Sequence, residues 1–321
     1  MAQTQKPNGR KVLVTGATGF IGSNLVRRLL KGGYEVYILI RAQSDLWRIE
    51  DIKDRLRIHT ASLENYAELD KAVSEIKPEI IFHLATYGGF SSQSEPDRII
   101  STNVIGTMNL FRACLKTGFS LFVNTGSSSE YGIKDHPMSE EDELETITYY
   151  GATKAALSVF FSKIAKSQNL NIVTFRPFGV YGYYEEKDRL VSYLILSCLR
   201  NKNPELSTPS SVRDFIFVDD LIDGYMAAID KEGVGGEIFN LGAGVQYSVG
   251  EVARFVIELS GKNLKPIYGK RPSTQKMEPN CWVAEISKAK RMLGWEPRHD
   301  IRQGLKKDFE WFSKNLRLYS E

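Results

Sequence analysis

Only three cysteines occur in the 321 residues, Cys114, Cys198 and Cys281, and none forms a CxxC pair. A disulfide-stapled scaffold is therefore excluded, and a reducing compartment is expected. The four histidines, His59, His83, His136 and His299, are scattered without zinc-binding spacing, so no metal is expected. No apolar run is long enough to cross a bilayer, and the opening MAQTQKPNGRK has no signal-peptide core. The cytoplasm is accordingly the expected location, with no membrane partner. Charge of one sign is missing too: 42 Lys+Arg against 39 Asp+Glu leave a formal +3. That balance is too even to argue for nucleic acid. Internal repeats, low-complexity tracts and long linkers are also absent.

What remains is an ordinary soluble composition, long enough for one large domain or two joined ones. Six apolar runs read as strands: Lys11–Thr15, Glu35–Ile40, Arg55–Thr60, Glu79–Leu84, Ser120–Thr125 and Asn171–Arg176. Most are continuously apolar, as strands covered on both faces must be. Helical patterns lie between them at Phe20–Leu30, Tyr66–Ile76, Arg98–Lys116 and Tyr149–Gln168. This alternation predicts an α/β fold with a doubly wound parallel sheet of about seven strands. After Pro177 the rhythm breaks. Tyr181–Tyr184 reads as a loop, and helices are expected at Arg189–Arg200, Asp219–Asp230, Val249–Ser260, Ser287–Leu293 and Ile301–Asn315, with a strand at Glu237–Leu241. Ser248 is placed to cap the helix that follows it.

The first strand runs into Gly16-Ala17-Thr18-Gly19-Phe20-Ile21-Gly22, a GxxGxxG spacing that opens a helix. Gly16 suits a tight turn, Gly19 the approach of backbone N–H groups to a diphosphate, and Gly22 close helix–strand packing. The helix start adds partial positive charge for the anion. A glycine-rich turn without a ligand is the bland alternative, and the strand–turn–helix context disfavours it. At the end of the second strand an acidic residue would favour NAD. Arg41 stands there instead, followed by Ser44, and a guanidinium suits the 2′-phosphate of NADP. NADP is thus the expected cofactor, with NAD the alternative, although a strand-end arginine is often merely solvated.

Tyr150 and Lys154 stand four residues apart, on one face of the expected helix Tyr149–Gln168. An adjacent ammonium favours a phenolate, which makes the phenol a usable acid–base at neutral pH. Tyr149 has Thr153 at the same spacing and fails the pattern. Upstream, Ser127, Ser128 and Ser129 follow the strand Ser120–Thr125, where ligands of an open parallel sheet bind. A polar strand-end turn is the bland reading of those serines.

Taken together, TGATGFIG, IFHLAT, TNVIGTMNL, GSSSEYG, YGATK, RPFGVYG, SVRDFIFVDDLID and SKAKRMLGW span nearly the whole chain in order. In these motifs the sequence resembles the extended short-chain dehydrogenases/reductases that modify nucleotide sugars, the NAD-dependent epimerase/dehydratase family. The resemblance implies a catalytic triad of Ser127, Tyr150 and Lys154. It implies cofactor contacts from Gly16, Thr18, Gly19, Phe20, Ile21, Gly22, Arg41, Ser44, Leu84, Ala85, Asn103, Tyr150 and Lys154, with Asn103 organising the active-site helix and Lys154 on the nicotinamide ribose. Thr86, Tyr87, Ser128, Ser129, Gly179, Arg213 and Arg271 become the substrate-side residues, the two arginines gripping the nucleotide phosphates. It further implies a Rossmann domain over residues 1–176, to which 214–242 returns, a sugar-nucleotide-binding domain over 177–321, and a cleft between them. A homodimer through the helices near 98–116 and 149–168 follows by the same analogy.

Departures narrow the activity. Carboxylates that dehydratases of this family carry after the catalytic Ser/Thr are Ser128 and Ser129 here, and Glu130, one place late, reads as a loop residue. Gly179 replaces a family asparagine, and Ser62 an adenine-contacting aspartate. The loop Thr86–Gln93 resembles more closely the deoxysugar 4-ketoreductases, such as the CDP-abequose synthase group. The leading expectation is an NADPH-dependent 4-keto reduction of a nucleotide-linked 4-keto-6-deoxyhexose. The alternative is a UDP-glucose or UDP-glucuronate 4-epimerase with tightly bound NAD, which uses the same three residues. A non-catalytic cofactor sensor would be expected to lack the tyrosine or the lysine, and both are present.

Overall fold

The computed structural model describes residues 9–90, 92–270 and 279–319. A seven-stranded parallel sheet flanked by helices dominates it, a Rossmann-type α/β fold. In chain order the strands are β1 (Lys11–Thr15), β2 (Glu35–Ile40), β3 (Arg57–Thr60), β4 (Ile80–His83), β5 (Leu121–Thr125), β6 (Ile172–Pro177), β7 (Gly179–Tyr181), β8 (Glu205–Leu206), β9 (Val212–Phe217), β10 (Ile238–Leu241), β11 (Gln246–Ser248) and β12 (Ile267–Tyr268). The helices are α1 (Phe20–Lys31), α2 (Tyr66–Ile76), α3 (Pro96–Ile100), α4 (Thr107–Thr117), α5 (Tyr149–Gln168), α6 (Leu190–Leu199), α7 (Val218–Ala227), α8 (Val249–Ser260), α9 (Ser287–Leu293) and α10 (Ile301–Asn315). The large sheet has the order β10-β6-β5-β4-β1-β2-β3. Val12 of β1 pairs with Val36 on one side and Ile80 on the other, so the order reverses beside β1.

The chain divides into two compact units. The first holds the residues up to Glu130 with Thr146–Arg176 and Ala228–Ile238. Its β4 and β5 are buried at every residue, which explains their unbroken apolar sequence. Leu13, Ile81 and Phe122 of the strands share one core with Val73 of α2, Phe111 of α4 and Phe161 of α5. There Phe111 meets Phe161 edge to face with ring centroids 5.2 Å apart. α5 starts where the Thr148 hydroxyl accepts the Gly151 N–H and ends at Asn169, left-handed at φ 51°.

One expected helix is present with a π-helical stretch inside it. The segment read as continuous over Arg98–Lys116 is α3, then a π-helical stretch over Ser101–Gly106, then α4. Asn103 lies in that stretch, a wider turn within what periodicity alone reads as one uniform helix.

The second unit holds Tyr131–Glu145, Pro177–Ala227 and the residues from Phe239 on. Its β9 pairs antiparallel with β11 and parallel with β7. Tyr181, expected in a loop, is therefore the end of a strand. The expected return of 214–242 to the large sheet is also narrower than drawn: β9 belongs to the three-stranded sheet, and β10 alone from that span joins the large one. Asp214 of β9 locks its surroundings by accepting the N–H groups of Ala243, Gly244 and Ala284 at 2.6, 3.0 and 3.0 Å. α8 and α10 each start with a reciprocal capping box, Ser248 with Glu251 and Asp300 with Gln303. No described helix is long and apolar enough to cross a membrane.

Asp308 of α10 is fully buried, and neither carboxylate oxygen has a hydrogen-bond partner among the described residues. Burial, reinforced by the Glu185 and Asp219 carboxylates, holds its pKa well above the usual range. A raised carboxyl pKa means the unfolded chain ionises first, so stability falls as pH climbs above the ordinary carboxylate range. Asp308→Asn should therefore melt higher than the wild type by about 2–4 °C at pH 8 and by less at pH 5. Equal melting temperatures at both pH values in differential scanning calorimetry would contradict this.

Candidate active site

Three structural ends meet in the first unit. β5 ends at Thr125, the turn Gly126–Ser127 leads into a 3-10 turn over Ser128–Glu130, and α5 begins at Tyr149. Lys154, one helical turn after Tyr150, is 3% exposed and donates from Nζ to the Thr125 carbonyl at 2.8 Å. The same ammonium lies 5.7 Å from the centroid of the Tyr150 ring. Burial pulls the Lys154 pKa down to about 8, opposed in part by the Glu130 carboxylate. The expected pairing of Tyr150 with Lys154 is thus present, on the side of α5 that faces the end of β5. Tyr149 points elsewhere and is 61% exposed. Ser127 sits where β5 ends, and its Oγ accepts the Ser129 N–H at 3.1 Å, which leaves its own O–H to be donated. Ser128 is buried.

The glycine turn joins β1 to α1. Gly16 adopts φ +70°, and a Cβ there would stand 2.6 Å from the Ala85 nitrogen. A Cβ on Gly22 would stand 2.1 Å from the Gly16 carbonyl oxygen. Both positions therefore require glycine. Gly19 donates to the Gly16 carbonyl at 3.0 Å and forms the cap of α1. Neither a capping side chain nor an acidic residue occupies the first turn from Phe20 and Ile21. Such a helix start offers backbone donors and positive dipole to an anion. The strand ends beside it are tied together: Leu84 donates to the Thr15 carbonyl and Ala85 to the Thr15 hydroxyl. His83 lies between the hydroxyls of Thr15 and Thr107, each at 2.7 Å. Burial, with the Lys154 charge, holds His83 neutral with a pKa of about 3.

Asn103 ties the loop after β4 to α5. Its Oδ1 accepts from the Thr86 hydroxyl and the Tyr87 N–H, while Nδ2 donates to the Tyr87 carbonyl and the Thr153 hydroxyl, at 2.8–3.1 Å. The Tyr87 hydroxyl bonds the Glu95 carboxylate. Arg41 and Ser44 form a tight turn in which the Arg41 N–H donates to Ser44 Oγ and the Ser44 N–H to the Arg41 carbonyl, both at 3.0 Å. The Arg41 side chain is exposed. Ser62 donates its N–H to Glu68.

In the second unit, Gly179 opens β7 in register with Phe215 of β9. Arg213 of β9 lies with its guanidinium 5.4 Å from the centroid of the Trp282 ring. Arg271 falls outside the described residues.

Two residues escaped the sequence reading. Arg48 is 6% exposed, stacks on Trp47 at 4.3 Å and donates to the Thr18 carbonyl of the glycine turn at 3.4 Å. It follows Arg41 by seven residues, and only the tertiary fold brings it to that turn. Glu130, read as a loop residue, is a buried carboxylate bonded to Arg176 at 2.7 Å. Its partner lies 46 residues away on β6, out of reach of any local pattern.

A sequence model of the NAD dependent epimerase/dehydratase family matches residues 12–242. The UDP-glucose 4-epimerase of Mycolicibacterium smegmatis is 30% identical over 314 residues, covering 94% of this chain and 98% of that protein. Among solved structures, the UDP-glucose 4-epimerase of Thermotoga maritima with UDP-glucose superposes with a TM-score of 0.87 at 28% identity, covering 95% of this chain and 99% of that one. The UDP-glucuronic acid 4-epimerase of Bacillus cereus, in complex with UDP-glucuronic acid and NAD, gives 0.83 at 28% identity, with the same coverage.

Proposed function

Since the chain belongs to the NAD-dependent epimerase/dehydratase family and is an NAD(P)-dependent nucleotide-sugar enzyme, we propose that it inverts C4 of a UDP-hexose or UDP-hexuronate. Sequence reading puts 4-keto reduction first, but the relatives at 28–30% identity named above, which cover 94–95% of the chain, are 4-epimerases, which favours epimerisation. The observation that favours epimerisation is the likeness to 4-epimerases along nearly the whole chain; the Lys154 ammonium beside the Tyr150 ring, close to the turn that holds Ser127, supports hydride-and-proton chemistry of either kind.

The residues fit a dinucleotide. The uncapped start of α1 and the Gly16–Gly22 turn supply donors for its diphosphate. When bound, the nicotinamide supplies the hydride acceptor and donor. Tyr150 takes the proton of the C4 hydroxyl as base and returns a proton to the same oxygen as acid. Lys154 keeps a positive charge beside that phenol, which favours its ionised form. Ser127 donates its O–H to the C4 oxygen and steadies it as its charge changes. The exposed apolar side chains Ile105 and Val159, 51% and 48% exposed, support the homodimer implied by the resemblance, and sedimentation as a monomer at micromolar concentration would remove it.

A second reading, NADPH-dependent reduction of a 4-keto sugar, is favoured by one feature. Arg41 stands at the end of β2, where a carboxylate would suit NAD. Turnover separates the two. An epimerase should convert UDP-glucose or UDP-glucuronate to the C4 epimer without added cofactor or net change at 340 nm. Tyr150→Phe should lower that rate by about 10²-fold or more while retaining the dinucleotide. Stoichiometric NADPH consumption on a 4-keto sugar, with no epimer formed, would replace the first reading by the second.

A further inference from the structure

Lys154 and Glu130 grip the same short stretch of backbone from opposite sides of Gly126. Lys154 Nζ donates to the carbonyl of residue 125 at 2.8 Å, and Glu130 Oε1 accepts the N–H of residue 127 at 2.8 Å. The carboxylate presses on the turn so closely that a Cβ on Gly126 would stand 2.3 Å from Oε1. Its other oxygen accepts from Arg176 Nε at 2.7 Å, and the two side chains are 0% and 1% exposed. A buried ion pair gains little stability over an apolar pair of the same volume. What it supplies is direction, because a charge-assisted bond holds its acceptor in fixed geometry. Here the thing held is the peptide that carries Ser127. The Ser129 N–H already donates to Ser127 Oγ at 3.1 Å, so the orientation of that peptide sets where the Ser127 O–H points.

We propose that Glu130, anchored by Arg176, is a positioning residue that acts through Ser127: it fixes the Ser127 amide and so aims the Ser127 hydroxyl at the reacting oxygen. This rests on the functional reading above. Glu130 touches neither sugar nor cofactor in this role, and it shuttles no proton.

The test removes acceptor and cation together, so that neither member of the ion pair is left buried without the other. Glu130→Leu/Arg176→Met should lower kcat by about tenfold or more, as expected when an oxyanion donor is misplaced, with KM and cofactor Kd within about twofold. Glu130→Gln/Arg176→Gln keeps an acceptor for the Ser127 N–H and should recover kcat to within about threefold of the wild type. In a Ser127→Ala background the Leu/Met pair should add no more than about a twofold loss, because both changes strike one interaction. Losses that multiply in that background, or an unchanged kcat, would overturn the proposal. Hydrogen exchange of the Ser127 amide, measured without sugar, provides a readout independent of activity. It should quicken by about tenfold in the Leu/Met pair while the β5 amides stay protected. If the wild type turns over no nucleotide sugar, the functional reading fails, and unchanged exchange at Ser127 would separately sink this one. Should the Leu/Met pair not fold, exchange and kcat in Glu130→Ala/Arg176→Gln decide in the same way.

Discussion

The buried ammonium of Lys154 is the constraint on which the candidate site depends. Its bond to the Thr125 carbonyl places it at the end of β5, beside the Tyr150 ring and next to the turn that presents Ser127. Holding a charge there is unfavourable. A pKa drawn from 10.5 to about 8 corresponds to about 3 kcal/mol against the charged form. Because the folded pKa lies below the unfolded one, that penalty is full at neutral pH and is relieved only as pH rises from about 8 toward 10.5. The fold accepts the cost through the core that fixes α5 against β5, built around Phe111, Phe122 and Phe161.

Around this cation the other charges are sorted by what they hold. His83 stays neutral between two threonine hydroxyls and keeps β1, β4 and α4 in register beside it. Glu130 and Arg176 cancel one another, so their burial adds direction without net charge. Asn103 uses all four of its hydrogen-bonding positions to join the loop after β4 to α5. The π-helical stretch over Ser101–Gly106 goes with that arrangement, since it is where Asn103 sits.

Most of the large sheet was legible in the amino-acid order because its signals are local. β1 and β2 match their apolar runs residue for residue, and the glycine turn and the Tyr150–Lys154 spacing carry their own geometry. The misreadings share a cause. The π-helical turns inside 98–116 hold Asn103, whose partners lie 16 and 50 positions away. Glu130 looks like any loop carboxylate until β6 brings Arg176 to it. β9 is apolar enough for the large sheet, and pairing with β7 and β11 claims it instead. In each case a tertiary partner overrode a pattern read along the chain.

Lys154 as a buried cation beside Tyr150 can be observed directly by its titration. Carbon-13 NMR of lysine labelled at Cε, with Lys154→Met to assign the signal, would follow its titration in the folded protein. The expected midpoint is about 8, well below the 10.5 of a solvated lysine. A midpoint at the solvated value would mean that the ammonium is in water, away from the end of β5, and would contradict the account.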